Sequence, residues 1–279
     1  MRNSIRDNIT KDEIIAEIQL ELDADITHNL SIVVVEGIDD VTFFRGKLAQ
    51  NVDIKESFSG KVGVKEIVEF FSDNRVIGVC DRDYDSACEN NRVLFYDYSC
   101  LEMMMISNDS ALSSFCYTYY RGREQPASVR IHILEDLKWV SCYRKLSAQN
   151  AWSVRFTAIN FSTSFDDRVR KIDYSIIMRQ LTDSNPGLVD PGHAQLLQVS
   201  DLCRTTNCEQ DLLPITNGHD FLYYFQRLCC SYDPHCSSSS DDMFRGLVCA
   251  YRIEDFMLSN LYNTIKTYQT DNALSILPQ

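Results

Sequence analysis

No stretch of the 279-residue chain approaches the roughly 18 uninterrupted apolar residues that a helix needs to cross a bilayer. The first 13 residues are polar and charged and lack the apolar segment of a secretory leader. A cytoplasmic protein is therefore expected. Lysine and arginine are outnumbered by aspartate and glutamate, 27 to 40, for a net charge of −13. That deficit argues against indiscriminate binding to nucleic acid, because phosphate neutralisation supplies most non-specific affinity. An even-numbered disulfide framework is lacking too: there are eleven cysteines, scattered from Cys80 to Cys249, several inside apolar runs. Reduced, mostly buried thiols fit that pattern. The Gly-x-x-x-x-Gly-Lys spacing of a phosphate-binding loop is absent around Gly60-Lys61, and no internal repeat is visible.

The 44% hydrophobic content is that of an ordinary globular protein. Thr10-Lys11-Asp12-Glu13 fits a capping box, and Ile14, Ile15, Ile18 and Leu22 follow at helical spacing. Residues 31–36 form a short β-branched run ending on Glu36 and a glycine, the pattern of a strand buried on both faces. Val41, Phe43, Phe44 and Leu48 suggest a helix, residues 52–58 a second strand, and residues 64–71 another helix. Residues 75–80 are again apolar and again end on carboxylates, Asp81 and Asp83. Residues 93–96 read as one more strand, with a helix after it through residues 101–112. Strands alternating with helices at this pitch indicate βαβ units and a parallel sheet.

From about residue 116 the rhythm changes to longer helical patterns, clearest at residues 136–146 and 171–181, with a strand expected at 154–161. Residues 212–216 and 219–230 look like a strand and helix again, and the serine tract at 237–240 reads as a loop before a final helix over 243–265. The expected organisation is thus an α/β domain in residues 1–115, a mostly helical insert in 116–210, and a return to the first domain in 211–279. Charge tracks this division: residues 116–179 hold 11 Lys and Arg against 6 Asp and Glu, so a basic middle is set in an acidic chain.

Glu36-Gly37-Ile38-Asp39-Asp40 and Asp81-Arg82-Asp83-Tyr84-Asp85 each come directly after an apolar strand, and ligands of open parallel sheets bind outside the carboxyl ends of strands. Carboxylates gathered there repel one another and normally persist because a cation neutralises them. Hard oxygen ligands favour magnesium or manganese, with Glu36, Asp40, Asp81 and Asp83 as the candidate set. Gly37 is expected to let the chain turn sharply and a phosphate approach the backbone. A solvated strand-end cap is the plainer reading of either motif taken singly.

This pairing of motifs resembles the Toprim domain of primases, topoisomerases and nucleases of the old-lysogenisation family, marked by a Glu-Gly-x-x-Asp turn and a later Asp-x-Asp. The fold it implies is a Toprim-like Rossmannoid α/β sheet. By that resemblance Asp81 and Asp83 hold the metal, Asp40 assists, and Glu36 shares the ion or acts as general acid or base. Residues 34–44, Gly60-Lys61, residues 78–85, residues 95–98 with Glu102, and residues 217–220 further resemble a Toprim-like family encoded beside an ABC-type ATPase, the effectors of PARIS anti-phage defence. The resemblance implies a toxic endonuclease, held by its ATPase partner until infection and acting on transfer RNA.

Lys61 and Lys65 flank a helix start near the crevice, where Lys61 would stabilise charge on a transferring phosphate; a solvated helix face is the plainer reading of Lys65. Asp85, Glu102 and His219 are weaker candidates. Glu102 equally fits a carboxylate at a helix start, and Asn217-Gly218-His219-Asp220 fits a turn and cap. Arg121, Arg123, Arg144 and Lys145, interleaved with Tyr119, Tyr120, Trp139 and Tyr143, would suit RNA, against an ordinary solvated surface. Cys203, Cys208, Cys229, Cys230, His235 and Cys236 are too irregularly spaced for a convincing zinc site. A topoisomerase or primase would use the same carboxylates but needs further domains. The competing class is a non-catalytic regulatory subunit of an ABC-type ATPase complex. A homodimer is compatible with the sequence and not demanded by it.

Overall fold

A computed structural model describes residues 10–85, 87, 90–189, 194–233 and 235–278. The element order is α1 (Lys11–Ala24), β1 (Ser31–Val35), α2 (Ile38–Phe44), β2 (Val52–Glu56), α3 (Gly60–Phe70), β3 (Val76–Cys80), β4 (Val93–Phe95), α4 (Leu101–Ser107), α5 (Asp109–Tyr119), α6 (Pro126–Gln149), α7 (Phe161–Ser164), β5 (Phe165–Asp166), β6 (Lys171–Ile172), α8 (Tyr174–Ser184), α9 (Ala194–Thr205), α10 (Glu209–Leu212), α11 (Gly218–Tyr232), α12 (Ser240–Ala250), α13 (Ile253–Phe256) and α14 (Asn260–Asp271). The chain divides into two compact units, Met1–Leu101 with Ile253–Gln279, and Glu102–Arg252.

The first unit is an α/β layer structure around a four-stranded, all-parallel sheet in the order β2-β1-β3-β4. Every residue of β1 and of β3 is buried, as an uninterrupted apolar run requires of a strand covered on both faces. Ile32 and Val34 point into a cluster with Ile14, Ile15, Ile18 and Leu22 of α1 and Val64, Ile67 and Val68 of α3. Val33 and Val35, on the opposite face by the period of two, are equally buried. A further aromatic cluster joins Phe43 and Phe44 of α2 to Tyr96 and to Phe256 of α13. Gly78 is dictated by packing: a Cβ there would lie 2.5 Å from Val64 Cγ1, so α3 rests directly on the backbone of β3. The expected capping box starts α1, with Thr10 Oγ1 accepting from the Glu13 N–H at 3.3 Å and Glu13 Oε2 accepting from the Thr10 N–H at 2.7 Å.

The second unit is mostly helical and has only the two-stranded antiparallel β5-β6 ladder among its described residues. Three sequence expectations fail here, each for a local reason. No strand forms over 154–161. A turn at Thr157 and Ala158, closed by the Ile159 N–H donating to the Phe156 carbonyl at 3.1 Å, interrupts the run, and Asn160 caps α7 by accepting from the Ser162 N–H at 2.9 Å. Residues 212–216 are not a strand either, because Asp211 closes a box on Cys208 that starts α10, and the chain turns after it. Residues 243–265 are three helices, with Ser259 capping the last by accepting from the Tyr262 N–H at 3.0 Å. The helix expected over 136–146 is the middle of the 24-residue α6, which Pro126 opens. The chain re-enters the first unit at Ile253, so residues 211–252 belong with the second unit rather than the first.

Candidate active site at the sheet switch point

From β1 the chain passes to β2 on one side, then crosses to β3 on the other, so the strand order reverses between β1 and β3. The crevice outside the carboxyl ends of such a neighbouring pair is where open α/β sheets place ligands. Glu36 comes directly after β1 and Asp81 directly after β3. Because Val35 is in register with Val79, Glu36 lies level with Cys80, and its Oε1 accepts the Asp81 N–H at 2.7 Å. The two motifs, 45 residues apart in the chain, meet at one point.

The remaining carboxylates have distinct local tasks. Asp40 is buried: its Oδ2 accepts the Gly37 N–H at 3.0 Å, and its Oδ1 accepts the Tyr96 hydroxyl at 2.6 Å. It therefore caps α2 and anchors the aromatic cluster. Asp81 Oδ1 accepts the Leu101 N–H at 3.2 Å, at the start of α4. Asp83 holds a positive φ of 50°, uncommon for a non-glycine residue, while its N–H donates to the Ser99 carbonyl at 2.7 Å. Gly37 is extended, φ −158°, and a Cβ there would make only an ordinary contact, 3.9 Å from Asp40 Oδ2. The chain bends at Glu36-Gly37, directly between β1 and α2, without a positive φ, whereas Gly60, close to Glu36, is left-handed, φ +49°, and a Cβ there would sit 3.4 Å from Glu36 Oε2.

Lys61 is the hub of the charge arrangement. Its Nζ lies 3.1 Å from Asp83 Oδ2 and 2.9 Å from Asp85 Oδ2, and donates to the Arg82 carbonyl at 3.0 Å. Lys65 adds a second contact to Asp85, at 3.3 Å. A cation supplied by the chain thus neutralises part of the cluster. Burial pulls the Lys61 ammonium down, but Asp85 and Asp83 outweigh it and hold it above the ordinary lysine range. Burial raises Asp85, yet the hydrogen bonds and charges of Lys61 and Lys65 bring it below the usual range. Glu36 is pushed up, by burial first and by the charge of Asp83, against the Asp81 N–H and Lys61. Among the described residues no group of three or more His, Cys, Asp or Glu side chains is arranged to hold a metal ion.

The weaker candidates Glu102 and His219 belong to the second unit. Glu102 is buried in the first turn of α4, with Oε1 3.7 Å from Nδ1 of the exposed His219. Asn217 caps α11 by accepting the Asp220 N–H at 3.1 Å. Of the basic set, Arg121 and Arg123 are exposed, Lys145 is half-buried, and Arg144 is committed elsewhere. Arg144 grips the buried Asp220 at two points, Nε to Oδ2 at 2.8 Å and Nη2 to Oδ1 at 2.9 Å. Cys229 and Cys230 lie on α11, and Cys230 Sγ donates to the Cys236 carbonyl at 3.6 Å. The described cysteines are all free thiols. Sequence reasoning missed Arg82, whose guanidinium lies 5.3 Å from the ring centre of Phe95; its position inside the Asp-x-Asp motif was the available signal. No helix of the described residues is long and apolar enough to cross a membrane. No protein-family model matches the chain, and no curated protein is significantly similar to it.

Proposed function

We propose that the chain is a metal-dependent endonuclease whose site is the crevice between β1 and β3. The observation that carries this reading is the contact of Glu36 with the Asp81 N–H at the topological switch point, which gathers both carboxylate motifs where a ligand of this sheet type binds. Magnesium fits the donors as a two-carboxylate site rather than a four-carboxylate cage, since it is commonly held by one or two carboxylates with water and substrate phosphates. Glu36 and Asp81 would hold the ion, and Asp83, now paired with Lys61, would be the further candidate. Asp40 has both carboxylate oxygens in hydrogen bonds and positions α2 instead. When bound, magnesium or manganese supplies charge stabilisation at phosphate and a more acidic water. Lys61, kept protonated by Asp85 and Asp83, stabilises negative charge that develops on the phosphate. Glu36, whose carboxyl is raised by burial in the ion-free crevice, is the general acid or base candidate if it does not hold the ion.

By the resemblance to the Toprim-like effectors encoded beside an ABC-type ATPase, the substrate is RNA, transfer RNA in particular, and the activity is a toxic anti-phage response restrained by that ATPase. The second reading, a non-catalytic subunit of the ATPase complex, is favoured by the Lys61 pairing, which lets the crevice persist without an ion. Incubation of purified protein with RNA and magnesium or manganese separates the two. We expect chelator-sensitive cleavage that falls by at least about 100-fold in Glu36→Ala and Asp81→Ala, with circular dichroism unchanged. Sequencing RNA ends from cells making wild type or Glu36→Ala then identifies the target. Cleavage that survives in both variants removes the proposed site.

A further inference from the structure

We infer that Arg82 is the residue that grips a backbone phosphate of the nucleic-acid strand in this crevice, an assignment that rests on the nuclease reading only for the cleavage step after binding. Arg82 stands between Asp81 and Asp83 at the carboxyl end of β3. Its backbone is tied to the start of α3, because its carbonyl accepts Lys61 Nζ. Its side chain is half-buried and lies against Phe95, which is in register with Cys80, the last residue of β3.

The partnering of the cations is uneven. Lys61 takes Asp83 and Asp85, Lys65 takes Asp85, and Arg75 takes Asp73 and Asp25. Among the described residues Arg82 forms no ion pair and donates no side-chain hydrogen bond, although it is flanked in the chain by two aspartates. A guanidinium beside carboxylates normally finds a two-point partner, since its planar fork matches theirs. Here Lys61 has taken Asp83 and Asp85, and Arg82 lies against a ring instead. Such a contact is worth only about 0.5–1 kcal/mol at a partly exposed site, uses none of the five N–H donors, and limits the freedom of a long side chain before any ligand arrives.

Phe95 also carries Lys61, whose Nζ lies 5.3 Å from the same ring centre. Two cations thus lie near one ring, and of the two Arg82 is the one with no acid as partner among the described residues. A phosphodiester offers one negative charge and two non-bridging oxygens, matched to the Arg82 fork. The residue thereby binds the strand beside Glu36 and Asp81 without displacing Lys61 from its acids, and before any metal is present.

The test measures binding with metal removed, so that nothing is cut. A fluorescently labelled single-stranded oligoribonucleotide is titrated with protein in EDTA over a range of salt. The proteins are wild type, Arg82→Gln, Arg82→Lys, and Arg45→Gln as a control with the same charge change at the exposed end of α2. Arg82→Gln should bind about tenfold more weakly, with a salt slope shallower by about one. Arg82→Lys should recover the slope but not the full affinity, because a point charge cannot reproduce the fork. Arg45→Gln should match wild type. Unchanged affinity in Arg82→Gln, an equal loss in Arg45→Gln, or no binding by wild type overturns the assignment. Adding magnesium then separates it from the nuclease reading. Arg82-dependent binding without cleavage keeps Arg82 and removes the nuclease, whereas cleavage that needs Glu36 and ignores Arg82→Gln does the reverse.

Discussion

Arg144 and Asp220 form a two-point ion pair in the second unit, with side chains only 19% and 9% exposed, so a substitution of either is felt as an unpaired buried charge. Burial pushes the Asp220 carboxyl up, and Arg144 is what opposes that push. Arg144→Ala should destabilise the protein by about 3–5 kcal/mol, and Arg144→Ala combined with Asp220→Asn should regain much of the loss, because the stranded charge is gone. Chemical denaturation of the two variants decides it; equal stability of the single and double variants would show that the charge is not the cause. Arg144 therefore has no place in a charge reversal meant to probe RNA binding, for which Arg121, Arg123 and Lys145 remain. The same contrast marks how far residue-level reading of the sequence reaches. Glu36 and Asp81 were legible because each closes an apolar run, and a strand's end is a local signal. The commitments of Arg144 to Asp220, Asp40 to Tyr96, and Lys61 to Asp83 and Asp85 were not, since their partners are distant in the chain and pairing depends on tertiary placement.

The elements of the first unit were legible wherever burial is two-sided. β1 and β3 are continuous apolar runs that no solvated element would tolerate, and the capping box of α1 fixes its start. The second unit misled where turn chemistry overrode composition, as at Asn160 and Asp211, whose side chains satisfy local N–H groups and start short helices. One device joining elements gives a pH expectation. Arg75, next to β3, binds Asp73 through Nη2 at 2.7 Å and reaches Asp25 at 3.3 Å, and Asp25 Oδ2 accepts the Leu30 N–H at 2.6 Å just before β1. Burial raises Asp73, but the hydrogen bonds and charge of Arg75 hold it below the usual range, and Asp25 is lowered by Thr27 and by the Leu30 N–H. A depressed carboxyl pKa contributes stability that is complete above the unfolded value, about 3.9, and is lost as pH falls through the lower folded value. Melting temperature should thus drop steeply below about pH 4, and Asp73→Asn should lower it at pH 7 while flattening the acid decline. An acid decline as steep in Asp73→Asn as in wild type would assign it to other carboxylates.

At the scale of the whole molecule the charge is divided unevenly. The first unit carries 12 Lys and Arg against 23 Asp and Glu, a net of −11, and the second carries 15 against 17, a net of −2. The basic stretch at 116–179 is thus offset within its own unit, and nearly all of the chain's acidity belongs to the unit with the candidate site. A nuclease free to cut host RNA is harmful, so the proposed activity calls for restraint, and the acidic unit is the surface a basic partner would meet. Complementary charge accelerates and orients such docking more than it tightens it, so the complex with the proposed ABC-type ATPase should form more slowly as salt rises, with a smaller change in its dissociation rate. Expression of this chain alone should impair growth, and Glu36→Ala should abolish that effect. Co-expression with the ATPase should relieve it, and the two proteins should co-purify. A chain that is harmless alone and never co-purifies with that ATPase is not a restrained effector, even if purified protein cleaves RNA, whereas toxicity that depends on Glu36 and is suppressed by the ATPase ties the partner to the crevice between β1 and β3.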